Sequence, residues 1–378
     1  MEQERYRDLT LLVDGKNAFP EILRCMEQAQ KSIYINMFIW RDDAIGNRLG
    51  QAVLAAAERG VQVELSIDRY GVVLEKSEEC KRSFFHKKQT LTEKIKTKGL
   101  EILYPMPGAP KKTRDEETEL YRRIMSHPSI RVSEAVFKAD HSKYYIFDDT
   151  ILIMGGINVE DKENGADMQG RVYQDYMVKM EGAAHAEALR AKLQRGENLR
   201  EDYYFGVNSK DCRPHFFEME DRYFELIAGA KKELTITMAY FSPLKKFTDA
   251  ILEAYKRGVK VTVLVPERAN YQDSINRRTV RRLLKGSAGG ITVYMSPKMV
   301  HTKLVANESW ISFGSTNITK KAFRQLSELN LFVKNDESAF CKALRESVAE
   351  NQHLSKQITD YKTISYNYIL GWAEGLLL

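Results

Sequence analysis

The chain repeats itself, and that repeat limits its fold more than any other feature. Residues 29–40 read AQKSIYINMFIW and residues 230–241 read AKKELTITMAYF. Each stretch follows an amphipathic segment, at 19–28 and 216–229. Each then leads into a helical segment and a strand: LAAAERGVQVELSID at 54–68 and LEAYKRGVKVTVLVP at 252–266. Both copies place Arg-Gly-Val at the turn (Arg59-Gly60-Val61; Arg257-Gly258-Val259), where glycine suits the left-handed position just past a helix end. The Val-rich runs that follow read as buried parallel strands. The pattern predicts a duplicated strand–helix–strand unit with a right-handed crossover. The fold class is therefore α/β: two pseudo-twofold-related α/β/α halves, each with a mixed, largely parallel sheet, and one active site at their interface. We divide the 378 residues into 1–196 and 197–378.

The copies are 198 residues apart at Gly60/Gly258 but 160 apart at His141/His301, so the first half carries about 38 extra residues. They fall within 77–138, which holds Pro105, Pro107, Gly108, Pro110 and the run KKTRDEETE. Most of this insertion reads as a loop with a short helix near 119–125, either a lid over a site or a surface insertion without function.

Composition removes several classes. Hydrophobic residues make up 43% and charged residues 29%, an ordinary globular balance that excludes collagen-like and disordered chains. No run of eighteen apolar residues exists, and the N-terminal MEQERYRDLT lacks the apolar core of a secretory signal. The four cysteines (25, 80, 212, 341) have neither disulfide nor zinc spacing, which suits a reducing, cytoplasmic compartment. The net charge is +6, and all of the excess lies in 197–378, which holds 27 Lys+Arg against 21 Asp+Glu. A basic bias of this size fits anionic partners, or simply a solvated face.

The chemistry sits in a second doubled pattern. Residues 140–158 read DHSKYYIFDDTILIMGGIN; residues 300–317 read VHTKLVANESWISFGSTN. Each contains His-x-Lys, then an acid (His141, Lys143, Asp148; His301, Lys303, Glu308), then Gly-small-x-Asn, with Gly156 and Asn158 in one copy and Ser315 and Asn317 in the other. In a strand, residues i and i+2 share a face. Packing the halves about a twofold axis would bring two imidazoles, two ammoniums and two amides to one cleft. Such a cleft matches a phosphodiester, whose oxygens need charge stabilisation during transfer. One imidazole can attack phosphorus while the other protonates the leaving oxygen.

These motifs resemble the phospholipase D superfamily, whose signature is a doubled HxKx4D, and within it the cardiolipin synthase branch. The branch resemblance extends to 12–68, to YQDYMVKMEGAAHAEAL at 173–189 and to 272–294, and covers most of the chain outside about 106–138. It implies a two-step phosphatidyl transfer through a phosphohistidine, with no metal or cofactor. It makes His141 the nucleophile and His301 the acid and then base; the near-symmetry of the copies leaves the reverse order open. It makes Asp175 and Glu328 the carboxylates that orient the histidines, with Gly156 and Ser315 supporting a phosphate pocket. Asp148 and Glu308 are expected to be structural, Glu308 departing from the Asp of the family pattern. Many members of the branch begin with two membrane helices. This chain starts at the first repeat, so contact with the inner face of a membrane is expected to be peripheral.

The implied partners are phospholipid substrates and a membrane surface. The alternatives are a phosphodiesterase or nuclease using the same chemistry on nucleic acid, and an inactive membrane-bound scaffold. Arg277, Arg278, Arg281, Arg282 and Lys285 recur at helical spacing, as an anion-binding stripe or a solvated face. The tail from 361, with Tyr361, Tyr366, Tyr368 and Trp372, reads as a membrane-interface segment or as a final helix docked on the domain. Trp40, Trp310 and Trp372 read as core or interface anchors and not as ligand cages. His86, His127, His185, His215 and His353 lack matching partners, and most read as surface residues.

Overall fold

The computed structural model describes residues 5–77, 82–85, 89–104, 117–133, 139–166, 171–209 and 216–377. The first half opens with β1 (Leu9–Val13), α1 (Asp14–Gln28), β2 (Ser32–Met37), α2 (Ala44–Glu58) and β3 (Gln62–Ile67). It continues through α3 (Gly71–Ser77), α4 (Leu91–Leu103), α5 (Glu119–Ser126) and β4 (Ile130–Ser133). It closes with β5 (Lys143–Phe147), β6 (Ile151–Gly155), β7 (Tyr173–Gln174), β8 (Tyr176–Glu181) and α6 (Ala183–Arg195). The second half repeats this plan. It runs β9 (Tyr203–Ser209), β10 (Phe216–Phe217), α7 (Met219–Ala228), β11 (Glu233–Met238), β12 (Phe241–Ser242), α8 (Lys245–Lys256) and β13 (Lys260–Pro266). Then come α9 (Asp273–Gly286), β14 (Thr292–Ser296), β15 (Met299–Val300), β16 (Lys303–Asn307), β17 (Trp310–Gly314), β18 (Ile318–Thr319) and α10 (Lys320–Arg324). The last elements are β19 (Glu328–Lys334), α11 (Ala339–His353), β20 (Lys356–Ile358) and α12 (Tyr368–Leu377).

The strand orders show the duplication. The first sheet is β1-β8-β6-β5-β2-β3-β4, and the second contains the same series as β9-β19-β17-β16-β11-β13-β14, with β10 and β20 added at its edges. Both sheets are mixed. Five of the seven strands in the first run one way, yet parallel neighbours occur only in β2–β3–β4 and its counterpart β11–β13–β14. The remaining neighbours in both sheets are antiparallel. "Largely parallel" thus describes strand direction in the first sheet and not neighbour pairing. The reason is connection length: Phe147 to Ile151 and Asn307 to Trp310 are hairpins, and only a long helical crossover returns a strand in parallel.

Three cores hold the layers. Helices α1 and α2 pack on the outer face of the first sheet through Phe19, Ile22, Leu49 and Val53. Helices α7, α8 and α9 do the same on the second through Tyr223, Phe247, Ile251 and Leu283. The third core lies between the sheets, where Met154 and Val178 of one meet Phe313 and Leu331 of the other, flanked by Leu189 of α6 and Leu344 of α11. Helix α6 contacts β9 while α11 contacts β1, a reciprocal exchange across the interface.

Part of the insertion is more ordered than its composition suggested. The expected short helix is present as α5, and α4 is a second helix where the sequence predicts loop. Thr90 and Glu93 form a full capping box there: Glu93 N–H donates to Thr90 Oγ1 (3.3 Å) and Thr90 N–H to Glu93 Oε2 (2.6 Å). Cys80, Cys212, His86, His215, Pro105, Pro107, Gly108 and Pro110 lie outside the described residues. Cys25 and Cys341 are buried free thiols. His185 departs from the surface reading: it is buried, with Nδ1 2.6 Å from Tyr203 Oη and Nε2 2.6 Å from Asp8 Oδ2. Trp40 is core, Trp310 half-buried and Trp372 exposed. Among the described residues no helix is long and apolar enough to cross a membrane.

Candidate active site

Each His-x-Lys pair sits where an inner strand begins. Lys143 and Lys303 are the first residues of β5 and β16, and each histidine lies two residues earlier. The backbone there belongs to both halves. His141 N–H donates to Ser327 O and His301 N–H to Gln174 O, each at 2.8 Å. Asp140 bridges to Ser327, and β15 pairs with β7, so the residue following each bridge is brought to the opposite histidine.

Those following residues are Glu328 and Asp175. His141 Nδ1 lies 3.1 Å from Glu328 Oε2, and His301 Nδ1 lies 3.0 Å from Asp175 Oδ2. The orienting carboxylates therefore cross: each half supplies the acid for the other half's imidazole. A carboxylate at Nδ1 holds the proton there and leaves Nε2 for chemistry. All four groups are buried.

The lysines lie beneath the histidines. Lys143 and Lys303 are fully buried, and each Nζ donates back to the carbonyl of its own histidine, His141 or His301. Lys303 Nζ also lies 3.6 Å from Asp175 Oδ2. Neither side-chain nitrogen lines the pocket; both lie behind the histidines. Asn158 and Asn317, just past β6 and β17, do line it, together with both histidines. The pocket is a cleft of about 100 Å³ that opens to solvent. Its walls are largely apolar and aromatic, with Phe38, Tyr70, Tyr173, Tyr240, Tyr271 and Leu326.

Gly156 and Ser315, expected to support the phosphate pocket, instead serve the carboxylates and do not line the cavity. A Cβ at Gly156 would stand 2.2 Å from Asp175 Oδ2, so the shorter acid packs directly on the glycine. Ser315 Oγ donates to Glu328 Oε2 and accepts from Leu329 N–H at 2.9 Å. Asp148 and Glu308 lie at the far ends of the strands. Asp148 accepts from Gln30, Lys31 and Ser32 N–H at 2.7–2.9 Å, and Glu308 from Lys231, Lys232 and Glu233 N–H at 3.1–3.4 Å. They cap equivalent turns and touch neither histidine.

Sequence reasoning missed four charged residues of the site. Glu163 Oε1 lies 3.1 Å from His301 Nδ1, giving that imidazole a second buried carboxylate. The matching position in the other repeat is Ala322, so His141 has only one. Lys162 and Lys321, each four residues past its motif Asn, line the pocket over the rings of Tyr173 and Tyr70. Glu160 pairs with Lys162 at 3.3 Å, and its counterpart is Thr319. Comparing the repeats beyond Asn158 and Asn317 would have revealed the paired lysines.

The two imidazoles consequently differ. Burial holds the His141 pKa well below the ordinary histidine value, reinforced by Lys143, Lys303 and His301. Burial and Lys303 act the same way on His301, but Glu163 and Asp175 outweigh them and the net shift is upward. Burial pushes Glu328 up to about 8 despite Lys143 and Ser315, and burial with Lys303 brings Lys143 down to about 7. Glu163, Asp175 and His301 lie within 4.8 Å of one another, close enough to surround a cation. Their acids already face the protein's own His301 and Lys303, and the reading below uses no metal.

The site geometry agrees with the comparisons. The profile described as cardiolipin synthase, PLD-like domain, matches residues 22–195 and 223–350. Cardiolipin synthase B of Salmonella typhi is 26% identical over 362 residues, covering 90% of this chain and 79% of the relative. Cardiolipin synthase of Clostridium perfringens (strain SM101 / Type A) is 24% identical over 378 residues, covering 93% and 72%. Among solved structures, the phosphatidylserine synthase of Haemophilus influenzae superposes with a TM-score of 0.69 at 14% identity, covering 97% of this chain and 91% of that one. At that identity the likeness shows the fold alone. An α/β fold of two repeats, the two motif histidines lining one pocket and a profile match over most of the chain agree: the protein is an enzyme of the phospholipase D superfamily, a phosphatidyltransferase or phosphodiesterase, and belongs to its cardiolipin synthase, PLD-like domain family.

Proposed function

We propose that the protein transfers a phosphatidyl group from one phospholipid to the hydroxyl of another, or of glycerol, through a phosphohistidine. His141 Nε2 attacks phosphorus, the P–O bond to the leaving glycerol breaks, and His301 delivers its proton to that oxygen. In the second step the acceptor hydroxyl gives its proton to His301, its oxygen attacks phosphorus, and the P–N bond breaks. The amides of Asn158 and Asn317 and the charges of Lys143 and Lys303 stabilise the phosphoryl oxygens.

The observation that carries this reading is the unequal setting of the two imidazoles. His301 faces two buried carboxylates and His141 one. The first arrangement favours an imidazolium that can donate, the second a neutral ring that can attack. This supports His141 as nucleophile and His301 as acid and then base. It also gives residues 1–196 and 197–378 complementary duties. The apolar, aromatic walls favour a lipid over a nucleic acid, for which a continuous basic groove is needed. Of the pocket's two lysines, Lys162 is already matched by Glu160.

Incubation with phosphatidylglycerol vesicles should yield a diphosphatidyl product and free glycerol, and single-stranded DNA should remain intact. Strand cleavage without lipid turnover would establish the nuclease alternative. Trapping by a denaturing quench at neutral to alkaline pH, where a P–N bond survives, should label wild type and not His141→Ala; label on His141→Ala would reverse the two roles.

A further inference from the structure

Helix α4 is built inside out. Its inward face carries Glu93 and Thr97 with Leu100, all buried. Its outward face carries Leu91, Ile95 and Ile102, which are 76%, 65% and 73% exposed. At 100° per residue these three fall within about 40° of one another, directly opposite the buried side. Scattered apolar surface residues need no explanation, but a contiguous apolar stripe does. The orientation is fixed: Glu93 is held inward by Arg69 Nε at 2.9 Å and by the capping box with Thr90.

The C-terminal end of α4 reaches the wall of the catalytic pocket. Tyr104, at the end of α4, donates to Glu374 Oε1 of α12 (3.0 Å) and accepts from Gln272 N–H (3.2 Å). Its ring meets Tyr271 edge-on, with centroids 4.8 Å apart. Tyr271 and Gln272 are pocket-wall residues. Helix α12 docks on α9 through Gly371 and Glu374 but leaves Tyr368, Ile369 and Trp372 exposed, at 76%, 81% and 64%. The tail is therefore a final helix docked on the domain, with its opposite face left exposed and apolar.

We propose that α4 and α12 form a docking surface for an anionic phospholipid bilayer, which sets the pocket mouth against the headgroup layer. Exposed Lys94 and Lys98 lie along one side of the α4 stripe and supply the charge match to an anionic surface. Aromatic and aliphatic side chains beside lysines are the composition of helices that lie in a membrane interface. The basic stripe of α9 contributes less than its sequence suggested. Arg277 is bound to Asp273, and Arg281 to the carbonyls of Tyr361 and Ile364. This inference rests on the lipid reading above for the purpose of the surface, but its binding test does not need turnover.

The test is flotation of the full chain with phosphatidylglycerol vesicles and with phosphatidylcholine vesicles in 0.1 M salt, for wild type, Ile95→Asp/Ile102→Asp and Trp372→Ala. Wild type should float with phosphatidylglycerol and at least tenfold less with phosphatidylcholine. The double aspartate variant should lose at least tenfold in binding and the tryptophan variant several-fold, with unchanged thermal unfolding, as exposed sites allow. Turnover of phosphatidylglycerol in vesicles should fall in parallel, while turnover of a monomeric short-chain phosphatidylglycerol stays at wild-type level. Variants that float like wild type would overturn the surface. So would a wild-type dimer that the variants convert to monomer without loss of flotation, which would mark a self-association face. Absent short-chain turnover with intact flotation would refute the catalytic reading and leave the docking surface standing.

Discussion

Glu328 Oε2 lies 3.1 Å from His141 Nδ1 although 187 residues separate them along the chain. The carboxylate is fully buried and shared with Ser315 Oγ. Glu328→Gln preserves shape and removes the charge. Turnover should fall by about 10²–10⁴-fold, the range for losing acid–base function. KM should change little, because the group does not line the lipid-facing wall. Steady-state kinetics on vesicles reads both, and a loss under threefold would contradict the assignment.

The two imidazole clusters fix the sign of the pH dependence. His141 and Glu328 titrate as a pair, and the attacking form appears only once that pair has shed its proton. With Glu328 pushed up to about 8 by burial, kcat/KM should still be climbing between pH 7 and 8. Loss of the His301 proton sets the opposing, falling limb, and the neighbouring carboxylates displace that limb upward from the ordinary histidine range. Facing His301 are Asp175, Glu163, Lys303, Tyr173 and Tyr240, with Asp14 and Lys162 close by. Glu163→Gln removes one of the two acids that raise it, so the alkaline limb should shift toward acid while the acid limb stays. A profile that drops uniformly without moving would make Glu163 merely structural.

Gly156→Ala should damage the site through Asp175. The added methyl would stand 2.2 Å from Asp175 Oδ2 and 2.7 Å from its Cγ, so the carboxylate must leave His301 or the backbone must shift. Overpacking of this kind costs about 1–3 kcal/mol. Urea unfolding should show that loss together with reduced turnover. Ser315→Gly creates no clash; it removes the hydrogen bond to Glu328 and the one from Leu329 N–H, so it should act on Glu328 with a smaller loss of stability.

Arg41 supports the pocket floor from below. It is 2% exposed, pairs with buried Glu160 and donates to Glu75 O at 2.9 Å. Replacing it with methionine removes one of the two cations that hold the buried Glu160 carboxylate and leaves Lys162 at 3.3 Å as the other. Breaking a buried pair in this way costs about 3–5 kcal/mol, which chemical denaturation would register as a lower midpoint at unchanged slope.

The sequence made the repeats legible because strand–helix–strand periodicity and the two His-x-Lys motifs are local patterns. The crossing of Asp175 to His301 and of Glu328 to His141 is not local. It depends on which backbone segments pair across the interface, as at Asp140 with Ser327 and Val300 with Gln174. Glu163 was hidden for a related reason: its counterpart Ala322 marks a difference between copies without saying which side chain faces it. Helix α4 was hidden by the proline-rich run that follows it and by its reversed polarity. The Thr90–Glu93 capping box was the one signal pointing the other way.

The exchange of carboxylates between lobes has an evolutionary consequence. In most duplicated proteins one copy is free to decay while its sibling keeps the ancestral job. Here erosion of either copy would unhinge the imidazole of the other, so selection must guard both at once, and the only freedom left is to make them unlike, as Glu163 and Ala322 already are.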